Sequence, residues 1–120
     1  MLVRERAAHR CEYCGVSQSA DAFFVLHIEH IIARQHGGDD GLENLALACF
    51  HCNLRKGPNI AALDAVTGTL VALFHPRRQE WRAHFVSNGE VVEGTTPTGR
   101  ATVSLLQMNA ADRRRVRRLG

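Results

Sequence analysis

The chain has 120 residues, of which 45% are hydrophobic, and its net charge is +3. This length suffices for one domain with a modest core and is too short for two, so we predict a single domain over residues 1–120. No apolar run approaches the roughly 20 residues of a membrane-spanning helix, so we expect no membrane partner for this protein. Charged residues follow Met1 where a secretory signal would be apolar, which predicts a cytoplasmic protein.

The predicted elements of the first half are a short helix in residues 1–10, a strand over 23–28 that continues to residue 32, a loop at 37–41, a strand at Leu45–Ala48 and a short helix at Phe50–Lys56. The strands are predicted from β-branched and aromatic or short apolar runs, and the loop from its glycines. The helix is expected to end at Gly57 and Pro58.

The second half predicts a strand over 69–74, a hairpin and two helices. The hairpin strands are expected at 81–86 and 90–95, around a turn at Asn88 and Gly89. Thr98 is a candidate N-cap for a helix that runs to Met108, and Asn109 for a helix that begins at Ala110. Trp81 and Phe85 are expected to pack the hairpin against the first half, although base stacking would use the same side chains.

Positive charge is concentrated at the C-terminus. From Thr98 to Gly120 six arginines accompany one aspartate, a net charge of +5. Such a segment on a nearly neutral body is typical of electrostatic attraction to nucleic acid, and a solvated helix face or disordered tail is the plainer interpretation.

The four cysteines form two identical CxxC pairs, Cys11 with Cys14 and Cys49 with Cys52. Two such pairs supply the four thiolates of a closed, structural Zn²⁺ site. A redox pair or an incidental disulfide is the alternative, but a redox pair would leave the second CxxC without a purpose. The predicted zinc closes a long loop, and we expect the chemistry within that loop.

The stretch from Cys11 to Gly57 carries, in order, CxxC, an acidic residue beside a histidine, Gly-Gly, Asn-Leu, and CxxC followed by Asn and Lys. In this order of motifs it resembles the HNH endonuclease family. The resemblance implies an α+β fold: a ββα-metal (HNH/His-Me finger) unit over residues 11–57 with the Cys₄ zinc. Residues 58–120 would extend it with a β-hairpin and helices.

The resemblance also implies roles for single residues. His30 corresponds to the general base, Glu29 to an acidic metal ligand, and Asn44 to an asparagine that pins the loop through backbone hydrogen bonds. Asn53 occupies the third motif position, where many members have His. With Glu29 it would form an oxygen-only set of ligands, which favours Mg²⁺ or Mn²⁺.

Other residues are candidates for contacts at the same site. His27 shares the strand face of Glu29 and is a candidate third metal contact or phosphate contact. The remaining candidates for phosphate or nucleic-acid contact are His36, Arg55, Lys56, Arg77 and Arg78. Each of these could instead be an ordinary surface residue.

Taken together, these features predict a metal-dependent endonuclease that hydrolyses DNA. A zinc-stabilised DNA-binding module without catalysis would need only the thiolates and basic residues. A ribonuclease of the same fold would carry the same motif.

Overall fold

The computed structural model describes residues 2–19 and 25–119. Within these ranges the elements, in chain order, are α1 (Leu2–Arg6), β1 (His27–His30), β2 (Leu45–Ala48), α2 (Phe50–Lys56), β3 (Ala61–Asp64), β4 (Thr69–Ala72), α3 (Trp81–His84), β5 (Phe85–Ser87), β6 (Val92–Gly94), α4 (Pro97–Leu105) and α5 (Ala111–Leu119). The strands pair consecutively into antiparallel two-stranded sheets. This mixture of helices and small sheets is compatible with the predicted α+β class.

The first sheet joins the two ends of a long loop. Strand β1 pairs with β2 so that Glu29 lies opposite Ala46 and His30 opposite Leu45. Strand β2 and helix α2 have the predicted bounds, while β1 begins at His27. The start of the predicted first strand, including Phe23 and Phe24, lies outside the described residues. The sheet and α2 together place the end of β1 beside the helix.

One hydrophobic core draws side chains from both halves of the chain. Its largest fully buried members include Tyr13, Leu47, Phe85, Leu106 and Met108. Full burial of an apolar side chain of this size stabilises the fold by about 1.5–3 kcal/mol. The C-terminal half therefore completes the core of the N-terminal half.

Trp81 and Phe85 contribute to this packing, as expected. Their rings stack at 5.0 Å, and the Trp81 indole N–H donates to the Tyr13 carbonyl oxygen at 2.9 Å. The prediction of a strand from residue 81 was wrong for its first four residues, which form α3, and β5 begins only at Phe85. The indole hydrogen bond to a distant carbonyl shows that tertiary contacts hold this segment.

A second hairpin, β3–β4, was predicted only in its second strand. Ala61–Asp64 contains alanines rather than strong strand formers, so the sequence carries little signal for β3. Asp64 closes the turn by accepting hydrogen bonds from the Thr67 hydroxyl at 2.8 Å and from the Thr67 N–H at 3.3 Å. The Arg100 guanidinium on α4 donates two further bonds of 2.9 Å to Asp64.

Both predicted helix caps were wrong. Thr96, not Thr98, caps α4, because its hydroxyl accepts the Gly99 N–H at 3.0 Å and Pro97 occupies the first turn. Asn109 does not cap α5; its amide pairs with both backbone groups of Val92, at 2.9 and 2.8 Å. No helix in the two described ranges has the length and apolar character needed to cross a membrane.

Candidate functional site: a cysteine knuckle and the cleft beside it

Four buried cysteine side chains converge at one point of the core. We call the two CxxC segments that carry them, residues 11–14 and 49–52, the cysteine knuckle. The sulfur atoms of Cys11, Cys14, Cys49 and Cys52 all lie within 4.8 Å of one another. Sulfurs bound to one tetrahedral Zn²⁺ at about 2.3 Å would be about 3.8 Å apart. The distance between the Cys14 and Cys49 sulfurs is 3.8 Å. The four cysteines are thus positioned to bind a structural zinc, as the sequence predicted.

Backbone N–H groups support the sulfurs. The Cys14 N–H points to the Cys11 sulfur at 3.5 Å, and the Cys52 N–H points to the Cys49 sulfur at 3.3 Å, at the N-cap of α2. Burial raises the pKa of the Cys11 thiol, while hydrogen bonds from the other cysteines lower that of Cys49. Buried thiolates need a positive partner, and a zinc ion supplies it.

A cleft of about 410 Å³ lies between β1, α2 and the start of the long loop. Its lining includes Glu29 and His30 from β1 and Asn53 from α2; the other lining residues are Ile28, Ala33, Arg34, Gly57 and Pro58. The structure thus brings three sequence-predicted site residues to one surface depression. Among the described residues, the cysteine set is the only group of three or more His, Cys, Asp or Glu placed to hold one ion.

Glu29 is buried at the inner wall of the cleft. The Tyr13 hydroxyl donates to its Oε2 at 2.8 Å, and the Lys56 ammonium lies 3.3 Å from its Oε1. Burial raises the pKa of Glu29, and the positive charge of Lys56 opposes that shift. The carboxylate is therefore held by two buried partners and reaches the cleft in a fixed position.

Lys56 does not lie at the surface, where the sequence placed a phosphate contact. Its side chain is only 2% exposed, and the ammonium also donates to the Ile31 carbonyl oxygen at 2.9 Å. The expected phosphate contact from Lys56 is corrected accordingly. This lysine pairs with Glu29 and joins α2 to the end of β1.

Asn44 holds the long loop through its side chain. Its Oδ1 accepts the Ile32 N–H at 2.9 Å, and its Nδ2 donates to the carbonyl oxygens of Ile32 and Asp39 at 3.0 and 2.8 Å. Gly38 lies against the same carbonyl of Ile32, where a Cβ would meet the oxygen at 1.7 Å. These bonds are of the kind that the resemblance implies for Asn44.

His30 lies at the mouth of the cleft with 30% of its side chain exposed. Its Nε2 is 2.7 Å from Asp40 Oδ1, and the Arg34 guanidinium reaches that same oxygen. Sequence reasoning named neither Asp40 nor Arg34, and it also missed Tyr13. The sequence did contain a signal for two of them: Asp40 belongs to an acidic pair beside Gly-Gly, and Tyr13 is an aromatic residue inside the first CxxC.

The other predicted contact residues do not line this cleft. His27 is exposed, and its ring lies 6.4 Å from that of Phe50. His36, Arg55 and Arg78 are exposed at other places on the surface. Arg77 forms an ion pair with Glu12 in the wall of a different cavity, so it is not a free surface cation.

The arginines of α5 are folded against the turn between β5 and β6. Arg117 donates to the Glu90 carbonyl oxygen, and Arg114 and Arg118 both bind the Glu90 carboxylate. Arg118 lowers the pKa of Glu90 by hydrogen bonding. Ala111–Leu119 forms a helix, which excludes the alternative of a disordered tail for this segment, and Arg115 and Arg118 still present charge to solvent.

Comparison with known proteins identifies one family. Residues 11–59 match the family model described as HNH endonuclease. No curated protein and no solved structure matches the chain. The matched segment contains the whole cysteine knuckle and the three motif residues that line the cleft, Glu29, His30 and Asn53. This match over residues 11–59 confirms the resemblance to the HNH endonuclease family that the order of the motifs predicted.

Proposed function

We propose that this protein is a metal-dependent endonuclease that hydrolyses phosphodiester bonds in DNA. His30 would be the general base, and one divalent ion would bind at Glu29 and Asn53. The observation that carries the proposal is that Glu29, His30 and Asn53, three motif residues of the family-matched segment, line one open cleft. We further propose that β1, β2 and α2 form the ββα-metal unit of this family, within a single domain that includes residues 58–120.

His30 is suited to take a proton from water. A neutral imidazole carries a nitrogen lone pair that can accept a proton near neutral pH. The side chain is partly exposed at the mouth of the cleft, so a water molecule can reach it. A fixed position matters as much as basicity, since a general base must lie within hydrogen-bond reach of the proton.

The donor chemistry of the cleft fits a hard divalent ion such as Mg²⁺ or Mn²⁺. Each Glu29 oxygen has one described partner, and an ionised carboxylate has about four lone-pair positions, so capacity remains for an ion. The Asn53 side-chain amide makes no hydrogen bond with any described residue, and its oxygen is free to act as a ligand. When bound, such an ion would neutralise charge on the phosphate and on the leaving oxygen.

Several exposed cations could bind the phosphate backbone. Arg55 lies on α2, Arg78 on the loop before α3 and Arg115 on α5, and all three are exposed. Such contacts give affinity without reading sequence, and they weaken as salt rises. A reducing compartment such as the cytoplasm would keep the four thiols available for zinc.

Relaxation of supercoiled plasmid by zinc-loaded protein tests the proposal. With Mg²⁺ or Mn²⁺ we expect the wild type to nick the plasmid and His30→Asn to lose at least about 100-fold in rate. His9→Asn, a change at an exposed histidine outside the cleft, is the matched control and should cut normally. DNA binding without metal-dependent cutting would instead indicate the non-catalytic module, and faster cleavage of labelled RNA would indicate a ribonuclease.

A further inference from the structure

The carboxylate of Asp40 lies directly against the proposed base. Asp40 Oδ1 is 2.7 Å from His30 Nε2. The same oxygen accepts hydrogen bonds from Arg34 Nε at 3.1 Å and Arg34 Nη2 at 2.8 Å. Three groups thus meet at one oxygen atom, at the edge of the cleft that His30 and Arg34 line.

We infer that Asp40 is a positioning residue for His30, which it holds in the tautomer that keeps Nδ1 free to accept a proton from the attacking water. This inference rests on the proposed nuclease function, because it assigns a task to the base of that reaction.

The chemistry of the hydrogen bond between His30 and Asp40 determines which atom carries the hydrogen. An ionised carboxylate can only accept, so the hydrogen between His30 and Asp40 belongs to Nε2. The hydrogen bonds from His30 and Arg34 lower the pKa of Asp40, which keeps its carboxyl ionised. Because a neutral imidazole carries one N–H, Nδ1 then has the lone pair. No residue within 2–19 or 25–119 makes a hydrogen bond to Nδ1.

The loop that carries Asp40 is held on both sides of this contact. Asn44 binds the Asp39 carbonyl oxygen at 2.8 Å, and the Asp39 carboxylate accepts the Gly41 N–H at 2.9 Å. The backbone before and after Asp40 is therefore fixed, which places its carboxylate over His30. By binding this loop, Asn44 also helps to hold Asp40 beside His30.

Asp40 neither gains nor loses a proton during the proposed hydrolysis. The attacking water gives a proton to His30 Nδ1 while its oxygen forms a bond to phosphorus and the bond to the leaving oxygen breaks. Solvent supplies the proton for the leaving oxygen. Asp40 keeps its charge throughout and stabilises the imidazolium that forms beside it, as a carboxylate does for histidine in other hydrolases.

Three variants test this role in the zinc-loaded chain. We expect Asp40→Asn to lower the single-turnover cleavage rate at least about tenfold while the Kd for DNA stays within about twofold. Asp40→Glu keeps a carboxylate and should retain more activity than Asp40→Asn. Glu93→Gln is the control, since that exposed carboxylate of β6 lies outside the cleft and should cleave as the wild type does. An unchanged or increased rate in Asp40→Asn would overturn the inference.

Long-range ¹H–¹⁵N NMR of the histidine rings gives a readout that needs no cleavage. In alkaline buffer the His30 signal should show an Nε2–H tautomer in the wild type. Asp40→Asn should give a mixture of tautomers, and His30→Asn identifies the signal by its loss. The same tautomer in both proteins would overturn the inference. Failure of the wild type to cut plasmid, with the Nε2–H tautomer intact, would instead count against the nuclease function alone.

Discussion

Tyr13 donates a hydrogen bond of 2.8 Å to Glu29, and this bond joins the cysteine knuckle to the cleft. Tyr13 lies between Cys11 and Cys14 and is fully buried. On its other side, its carbonyl oxygen accepts the Trp81 indole N–H. A single residue of the knuckle therefore connects the zinc site, the C-terminal half and the proposed metal ligand.

Tyr13→Phe should leave zinc binding intact and weaken the site. The change removes a donor from a buried carboxylate oxygen, which costs about 1–3 kcal/mol of stability. We expect one zinc per chain by metal analysis, a lower free energy of unfolding in urea and slower plasmid cleavage. Loss of zinc from this variant would show that Tyr13 acts through the knuckle and not through Glu29.

Lys56→Met should destabilise the fold far more than a change at its neighbour. It leaves the buried Glu29 carboxylate without its cation, and breaking a buried pair in this way costs about 3–5 kcal/mol. Arg55→Met alters an exposed residue of the same helix and should stay within about 0.5 kcal/mol of the wild type. Urea unfolding measures both. Equal free energies of unfolding for the two variants would contradict the burial of Lys56 and make it a candidate for phosphate contact again.

Removal of zinc should unfold the knuckle and lower the thermal midpoint. A structural zinc contributes folding free energy, and a loss of a few kcal/mol shifts the midpoint by at least about 10 °C in a chain of this size. Calorimetry with and without a strong chelator measures the shift. Added Zn²⁺ should restore the midpoint, whereas Mg²⁺ should not. A midpoint that chelation leaves unchanged would contradict the structural role.

Asp64→Asn should lower stability in a pH-dependent way. The Arg100 hydrogen bonds hold the pKa of Asp64 below its usual value. A carboxyl with a lowered folded-state pKa stabilises the fold above its unfolded pKa of about 3.9, and that contribution is lost as pH falls through the folded value. The difference between wild type and variant in urea unfolding should thus be full at about pH 7 and shrink below about pH 4. A difference that is equal at both pH values would contradict this assignment.

Local patterns were sufficient to predict β2, α2 and the cysteine set, whereas Glu29, His30 and Asn53 were predicted from the resemblance to the HNH endonuclease family. Leu45–Ala48 is a short apolar run, and Phe50–Lys56 is a short segment that ends at Gly57. The spacing of the cysteines fixes a metal geometry regardless of the rest of the chain. These features therefore needed no knowledge of distant contacts.

Long-range contacts decided what the sequence could not predict. Lys56 was expected at the surface but is buried, because it pairs with Glu29, 27 positions earlier. Hairpin β3–β4 is held by Arg100 from α4, and Asn109 binds Val92 rather than the helix after it. Asp40 contacts His30 from a loop whose backbone Asn44 binds at Asp39. No local propensity carries such information.

Electron paramagnetic resonance of Mn²⁺ added to zinc-loaded protein tests most directly whether Glu29 and Asn53 hold a second ion. We predict one weak site per chain that is lost in Glu29→Gln and weakened in Asn53→Ala. The site should persist in Glu93→Gln, a matched change at an exposed glutamate of β6. Mn²⁺ binding by Glu29→Gln equal to that of the wild type, or no binding by the wild type, would contradict a metal site in the cleft.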